Sequence, residues 1–111
     1  MNEHQHQVIY EERFVQNLAR YSSLRQRIRR RIEQILNDPY TRTERLRPVP
    51  GGFDLRGYRS ARVDRNFRVI FLICQEYRQF QERQYPRYEG EEDETVVFLT
   101  VGPHDRAYSM R

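Results

Sequence analysis

The spacing of apolar residues changes twice along this chain. Val8-Ile9-Tyr10 is a short β-prone run, read as a first strand. From Glu11 the spacing becomes helical: Phe14, Leu18 and Tyr21 share a stripe with Val15 beside it. Glu11 and Glu12 suit the positive end of a helix. Ser22-Ser23 breaks the helix and recaps the chain. Leu24, Ile28, Ile32, Ile35 and Leu36 then mark one face of a second helix. Asn37-Asp38-Pro39 stops it, because the residue before proline avoids helical angles. Residues 11 to 37 are therefore expected to form a helical hairpin with one apolar face.

Tyr40 to Asp54 reads as a loop, punctuated by Pro48, Pro50, Gly51 and Gly52. Strand composition returns at Tyr58 to Asp64. Ala61 and Val63 are the inward candidates, which places Ser60, Arg62 and Asp64 on the opposite face. Asp64-Arg65-Asn66 can make a tight turn. Phe67, Val69, Phe71 and Ile73 share one face of the next strand. Arg68 lies on the other, beside Arg62 across an antiparallel pair, where it is not expected to be core. Val96 to Val101 is apolar on both faces, as a central strand should be. Gln75 to Thr95, with three arginines against seven acidic residues, is long for a hairpin connection. It is expected to be an extended hairpin tip or a mobile loop, and its acidic stretch near Glu89 to Glu94 is first an ordinary solvated loop, with a further capacity to shield or steer the arginine-rich surface. The pattern predicts an α+β fold: an antiparallel sheet with the N-terminal helical hairpin packed on one face, in one domain over residues 1–111.

Composition narrows the chemistry. The net charge is +4, and all 20 basic residues are arginine. A mild basic excess is compatible with nucleic acid, and no lysine can serve as a general base. The crowd of Arg25, Arg27, Arg29, Arg30 and Arg31 is first a solvated helix face, with a further capacity to attract RNA phosphate. One cysteine, Cys74, excludes a disulfide framework and a cysteine-based zinc site within the chain. His4 and His6 lie in a polar N-terminus without a signal-peptide core. No run is long enough to span a membrane. The expectation is a soluble cytoplasmic protein without a cofactor.

The candidate chemistry sits in the second half. Arginine forks bind phosphate in a bidentate way. Histidine titrates near neutrality, and tyrosine can stack on a base or move a proton. Arg68 and His104 are the leading candidates, Arg68 for stabilising charge on a phosphate and His104 for carrying a proton, with Arg62 and Tyr108 assisting. Arg59, Arg65 and Arg106 are further candidates for RNA contact. Asp105 could orient His104 or bond to Arg106. Each has a plainer alternative: Arg68 pairing with Asp64, His104 a surface turn residue, Tyr108 packing in the core.

Three blocks in order carry a resemblance. They are Ile35-Leu36-Asn37-Asp38-Pro39, then Arg62-Val63 followed by Phe67-Arg68-Val69-Ile70-Phe71, and Val101-Gly102-x-His104-Asp105-x-x-Tyr108. With the order strand, helical hairpin, three antiparallel strands and polar tail, the chain resembles the RelE/ParE family of small bacterial toxins. The resemblance to the RelE branch implies metal-independent cleavage of messenger RNA on the ribosome and silencing by a cognate antitoxin in a hetero-oligomer. It maps the family's strand arginine to Arg68, the arginine before the turn to Arg62, and the terminal histidine and tyrosine to His104 and Tyr108. The lysines of some members are absent. Two other readings stay open: a ParE-like inhibitor of DNA gyrase, and a degenerate relative that only binds antitoxin or RNA.

Overall fold

The computed structural model describes residues 7–47, 55–81 and 87–107, without the side chains of residues 81, 105 and 106. Five strands form one sheet in the order β1-β5-β4-β3-β2. They are β1 (Val8–Tyr10), β2 (Glu44–Arg45), β3 (Arg59–Arg62), β4 (Phe67–Ile73) and β5 (Val96–Pro103). β2, β3, β4 and β5 pair antiparallel. β1 pairs parallel to β5, with Val8 opposite Val96 and Tyr10 opposite Phe98. That single parallel pair follows from connectivity: the helical hairpin carries the chain away from β1, and β5 returns beside it along the same direction. β5 carries an irregularity where Ile70 pairs with Thr100 but Phe71 pairs with Phe98, the extra-residue signature of a bulge.

The hairpin is as its periodicity suggests. α1 (Glu12–Arg20) and α2 (Arg25–Asn37) flank a 3-10 turn at Ser22–Leu24. The expected serine cap is not made: Leu24 occupies the N-cap of α2, without a side-chain hydrogen bond. The apolar stripe is core. Phe14, Ile28, Ile32, Ile35 and Leu36 pack with Ala61, Val69, Phe71, Ile73, Val96, Phe98 and Val101 on one face of the sheet. Phe98 sits at the centre, with ring centroids 5.4 Å from Tyr10, 5.5 Å from Phe14 and 6.0 Å from Phe71. Asn17 Nδ2 donates to Thr100 Oγ1 at 2.9 Å and ties α1 to β5.

The other face holds a second cluster. Ile70, Leu72, Val97 and Leu99 meet Cys74, Tyr77 and Ala107 there. The covering residues come from two helices where the sequence suggested none: α3 (Cys74–Gln81) and α4 (His104–Ala107). α3 corrects the expectation of a plain loop from Gln75 to Thr95. Ile70, Leu72, Val97 and Leu99 need cover, and α3 supplies it with Cys74 and Tyr77 while closing its own backbone bonds. Residues 88 to 93 are tied back to α3 and α1. Arg78 donates from Nη1 to Asp93 Oδ1 at 2.6 Å and from Nη2 to the carbonyls of Tyr88 and Glu91. Tyr88 donates its hydroxyl to Glu11 at the start of α1. Tyr88 and Gly90 take positive φ, 62° and 85°, which folds the segment back. No helix among the described residues is long and apolar enough to cross a membrane.

Candidate functional site

The turn between β3 and β4 organises one end of the sheet. Asp64 Oδ1 accepts from the backbone N–H of Asn66 at 2.8 Å and of Phe67 at 2.9 Å. This is the aspartate turn that the residues suggested. Val63 N donates to Phe67 O at 2.9 Å and closes it. The register places Arg62 opposite Arg68, and Arg68 opposite Gly102. Two residues beyond Gly102, the backbone N–H of His104 donates to Asn66 O at 2.6 Å. Arg62, the turn and His104 therefore lie at the same end of β3, β4 and β5, with β4 between the two outer residues.

The two strand arginines differ in environment. Arg62 is exposed, as are Arg65 and His104. Arg68 is only 9% exposed. It lies on the face opposite Val69 and Phe71, as expected, but that face is covered too, so the expectation that it is not core is corrected. Its Nη1 donates to the carbonyls of Asp64, Arg65 and Phe67, each at 3.2 Å. The guanidinium thus holds the turn by its backbone. It makes no bond to the Asp64 carboxylate, which faces Arg27 at 3.7 Å.

α2 contributes a residue that sequence reading passed over. Arg31 Nε donates to Arg62 O at 2.9 Å, Nη1 to Gln34 Oε1 at 3.0 Å and Nη2 to Arg42 O at 2.6 Å. Burial, and then the nearby Arg42, lower its pKa from the usual arginine value. Arg31 thereby fixes the strand end that carries Arg62. Nothing in the run Arg29-Arg30-Arg31 singles it out. Tyr21 closes the same end on the hairpin side, edge-on to Phe67 at 4.9 Å.

Arg59, an expected RNA contact, is elsewhere. It is 6% exposed, and its Nε and Nη2 donate to the two carboxylate oxygens of Glu76 at 2.8 and 3.1 Å. Its guanidinium also lies 4.9 Å from the centre of the Tyr40 ring. A buried arginine spent on a buried glutamate is a structural element, so its assignment as an RNA contact is corrected. Tyr108 lies outside the described residues, as do the side chains of Arg106 and Asp105 and the whole of His4 and His6. Among the described residues, no three His, Cys, Asp or Glu side chains are grouped to hold a metal ion.

The acidic segment is remote from this end. It leads into the start of β5, whereas His104 follows its far end. Eight strand residues span roughly 25 Å. Glu89 to Glu94 therefore lie toward the opposite end of β5 from His104.

No protein-family model matches the chain, and no curated protein sequence matches it. Solved structures do. The crystal structure of YafQ from E. coli strain BL21(DE3) superposes with a TM-score of 0.63 at 12% identity, covering 94% of this chain and 99% of that one. The archaeal RelE–RelB complex from Pyrococcus horikoshii OT3 gives a TM-score of 0.57 at 18% identity, with 92% and 98% covered. Nearly complete mutual coverage means that the whole layout is shared, both the hairpin and the sheet. The chain has the RelE/YafQ-like fold.

Proposed function

We propose that this protein is the toxin of a toxin–antitoxin pair and cleaves messenger RNA on the ribosome without a metal ion. The observation that supports the reading most is the placement of Arg62, the Asp64–Phe67 turn and His104 at one end of a RelE/YafQ-like sheet. RNA carries its own nucleophile. The 2′-oxygen attacks the adjacent phosphorus, the bond from phosphorus to the 5′-oxygen breaks, and the products are a 2′,3′-cyclic phosphate and a 5′-hydroxyl. One proton leaves the 2′-hydroxyl and one reaches the 5′-oxygen. Arg62, on a strand end that Arg31 holds by its backbone, supplies a cation to the phosphate oxygens as their charge grows. Arg65 and Arg106 contact the RNA backbone. His104 is the proton carrier and Tyr108 assists it. Arg68 acts on the phosphate end chiefly by holding the turn in shape. The antitoxin is a protein with an acidic segment suited to this basic surface, as RelB is found with the archaeal RelE. The compartment is the cytoplasm.

One observation favours a second reading, a degenerate relative that binds antitoxin or RNA without cutting. Arg68 is nearly buried and its Nη1 is spent on three carbonyls. A single experiment separates the two: induction of the chain without an antitoxin, followed by primer extension on translated messages. New 5′ ends within open reading frames are expected of the nuclease. Intact messages alongside full expression would support the binding protein.

A further inference from the structure

A second basic surface lies away from His104. A groove of about 810 Å³ opens between β2, the approach to β3 and α3. Arg45, Arg47 and Arg56 line it with Glu44, Glu76 and Phe80. Phe80 is a large apolar side chain left 39% exposed, and the Arg56 guanidinium sits over its ring at 5.8 Å from the centroid. The floor is built. Glu76, 7% exposed, is held by Arg59 from below and by Arg45 Nε at 3.1 Å from the groove side. The Glu76 charge is thereby matched twice over. Among the described residues that line the groove, Glu44 is the other acid, beside the exposed Arg47 and Arg56.

An aromatic face beside several guanidinium groups is the chemistry that takes single-stranded nucleic acid: the ring stacks a base and the arginines hold phosphates. A purely apolar partner would not suit three arginines, and a phosphate alone would not use Phe80. The placement fits one continuous strand. Arg62 shares the Arg68–Ile70–Leu72 face of the sheet by register, and Tyr77 of α3 packs on that same face. Phe80 lies one helical turn beyond Tyr77 on α3. β3, from Arg62 back to Arg59, spans roughly 10 Å, so a short run of nucleotides would reach from one to the other.

We infer that this groove is a second RNA-binding site, which holds the single strand leading away from the cleavage point by a base stacked on Phe80 and phosphates on Arg45, Arg47 and Arg56. The inference rests on the RNA reading above. Its test therefore uses an uncleavable 2′-O-methyl oligonucleotide, and cleavage is measured apart. Binding is followed by fluorescence anisotropy across salt concentrations for wild type, Phe80→Ala, Phe80→Trp and the double variant Arg47→Gln/Arg56→Gln. Circular dichroism confirms that each is folded. Phe80→Ala should weaken binding by roughly 5- to 150-fold, and Phe80→Trp should restore it. The double arginine variant should reduce the salt slope by about 0.7 for each phosphate that the groove no longer neutralises. Inorganic polyphosphate, which has no bases, should bind wild type and Phe80→Ala alike. Wild-type affinity and salt slope in all groove variants would overturn the site while leaving the nuclease reading standing. An equal loss for RNA and polyphosphate on Phe80→Ala would overturn the stacking, and no RNA binding by wild type would overturn the groove altogether.

Discussion

Arg59 and Glu76 face each other as a buried two-pronged ion pair, Nε to Oε1 at 2.8 Å and Nη2 to Oε2 at 3.1 Å, with both side chains 7% exposed. The pair joins β3 to α3, and so ties the sheet to the segment that looked like a loop. Removing one partner strands the other charge out of water. Glu76→Ala is expected to destabilise the fold by about 3–5 kcal/mol, while replacing both residues with apolar side chains should be far milder. Urea denaturation of the two variants beside the wild type checks this. Little loss in Glu76→Ala would mean that Arg59 reaches solvent.

The hairpin stripe is the larger source of stability. Ile35 is fully buried against the sheet. Ile35→Ala should destabilise by about 2–5 kcal/mol, since the lost methylenes leave a cavity that helices cannot collapse to fill. Chemical denaturation is again the measurement. Val15 lies on the same helix hairpin but is 52% exposed, so Val15→Ala should change stability by less than about 0.5 kcal/mol.

Alkaline pH should loosen the strap from Tyr88 to α1. Burial, and then the hydrogen bond to Glu11, raise the Tyr88 pKa well above the ordinary tyrosine value. A raised folded-state pKa stabilises the fold fully below the unfolded value of about 10, and that contribution fades as pH rises above it. Tyr88→Phe should lose about 1 kcal/mol near neutrality and show a flatter decline of stability into the alkaline range. Parallel declines for the two proteins would show that the hydroxyl is not held by Glu11.

Cys74 is fully buried at the start of α3, and burial pushes its thiol pKa up. Thiolate is the reactive form. Iodoacetamide should leave the native protein unmodified near neutral pH and label it only on unfolding, as intact-mass measurement would report. Rapid native labelling would place Cys74 at the surface.

The sequence reveals the elements whose apolar spacing is regular. Ile28, Ile32 and Ile35 repeat at helical intervals, and Val69, Phe71 and Ile73 alternate, so the hairpin and the central strands stand out. α3 and α4 do not. α3 buries Cys74, Tyr77 and Glu76 among glutamine and arginine, and one of its buried contacts is an ion pair, which leaves little apolar pattern to read. The site was legible in part. Alternation places Arg62 and Arg68 side by side, and the aspartate turn is visible in Asp64-Arg65-Asn66. What alternation cannot show is that a second cluster covers the Arg68 face, or that Arg59, with the same local composition as Arg62, meets a buried glutamate 17 residues on. Arg31 is equally hidden, because its partner is a carbonyl at the end of another element.

The proposed cleavage site is the end of the sheet that carries Arg62 and His104. Its most direct test is cleavage of a translated message by purified wild-type, Arg62→Ala and His104→Ala proteins on stalled ribosomes, with metal dependence checked on wild-type protein treated with chelator and desalted before it is added to the ribosomes. Loss of the phosphate-stabilising arginine should lower the rate by on the order of 10²–10³, and loss of the proton carrier by roughly 10²–10⁴. Chelation should leave wild-type cleavage unchanged. Wild-type rates from both folded variants would contradict the account.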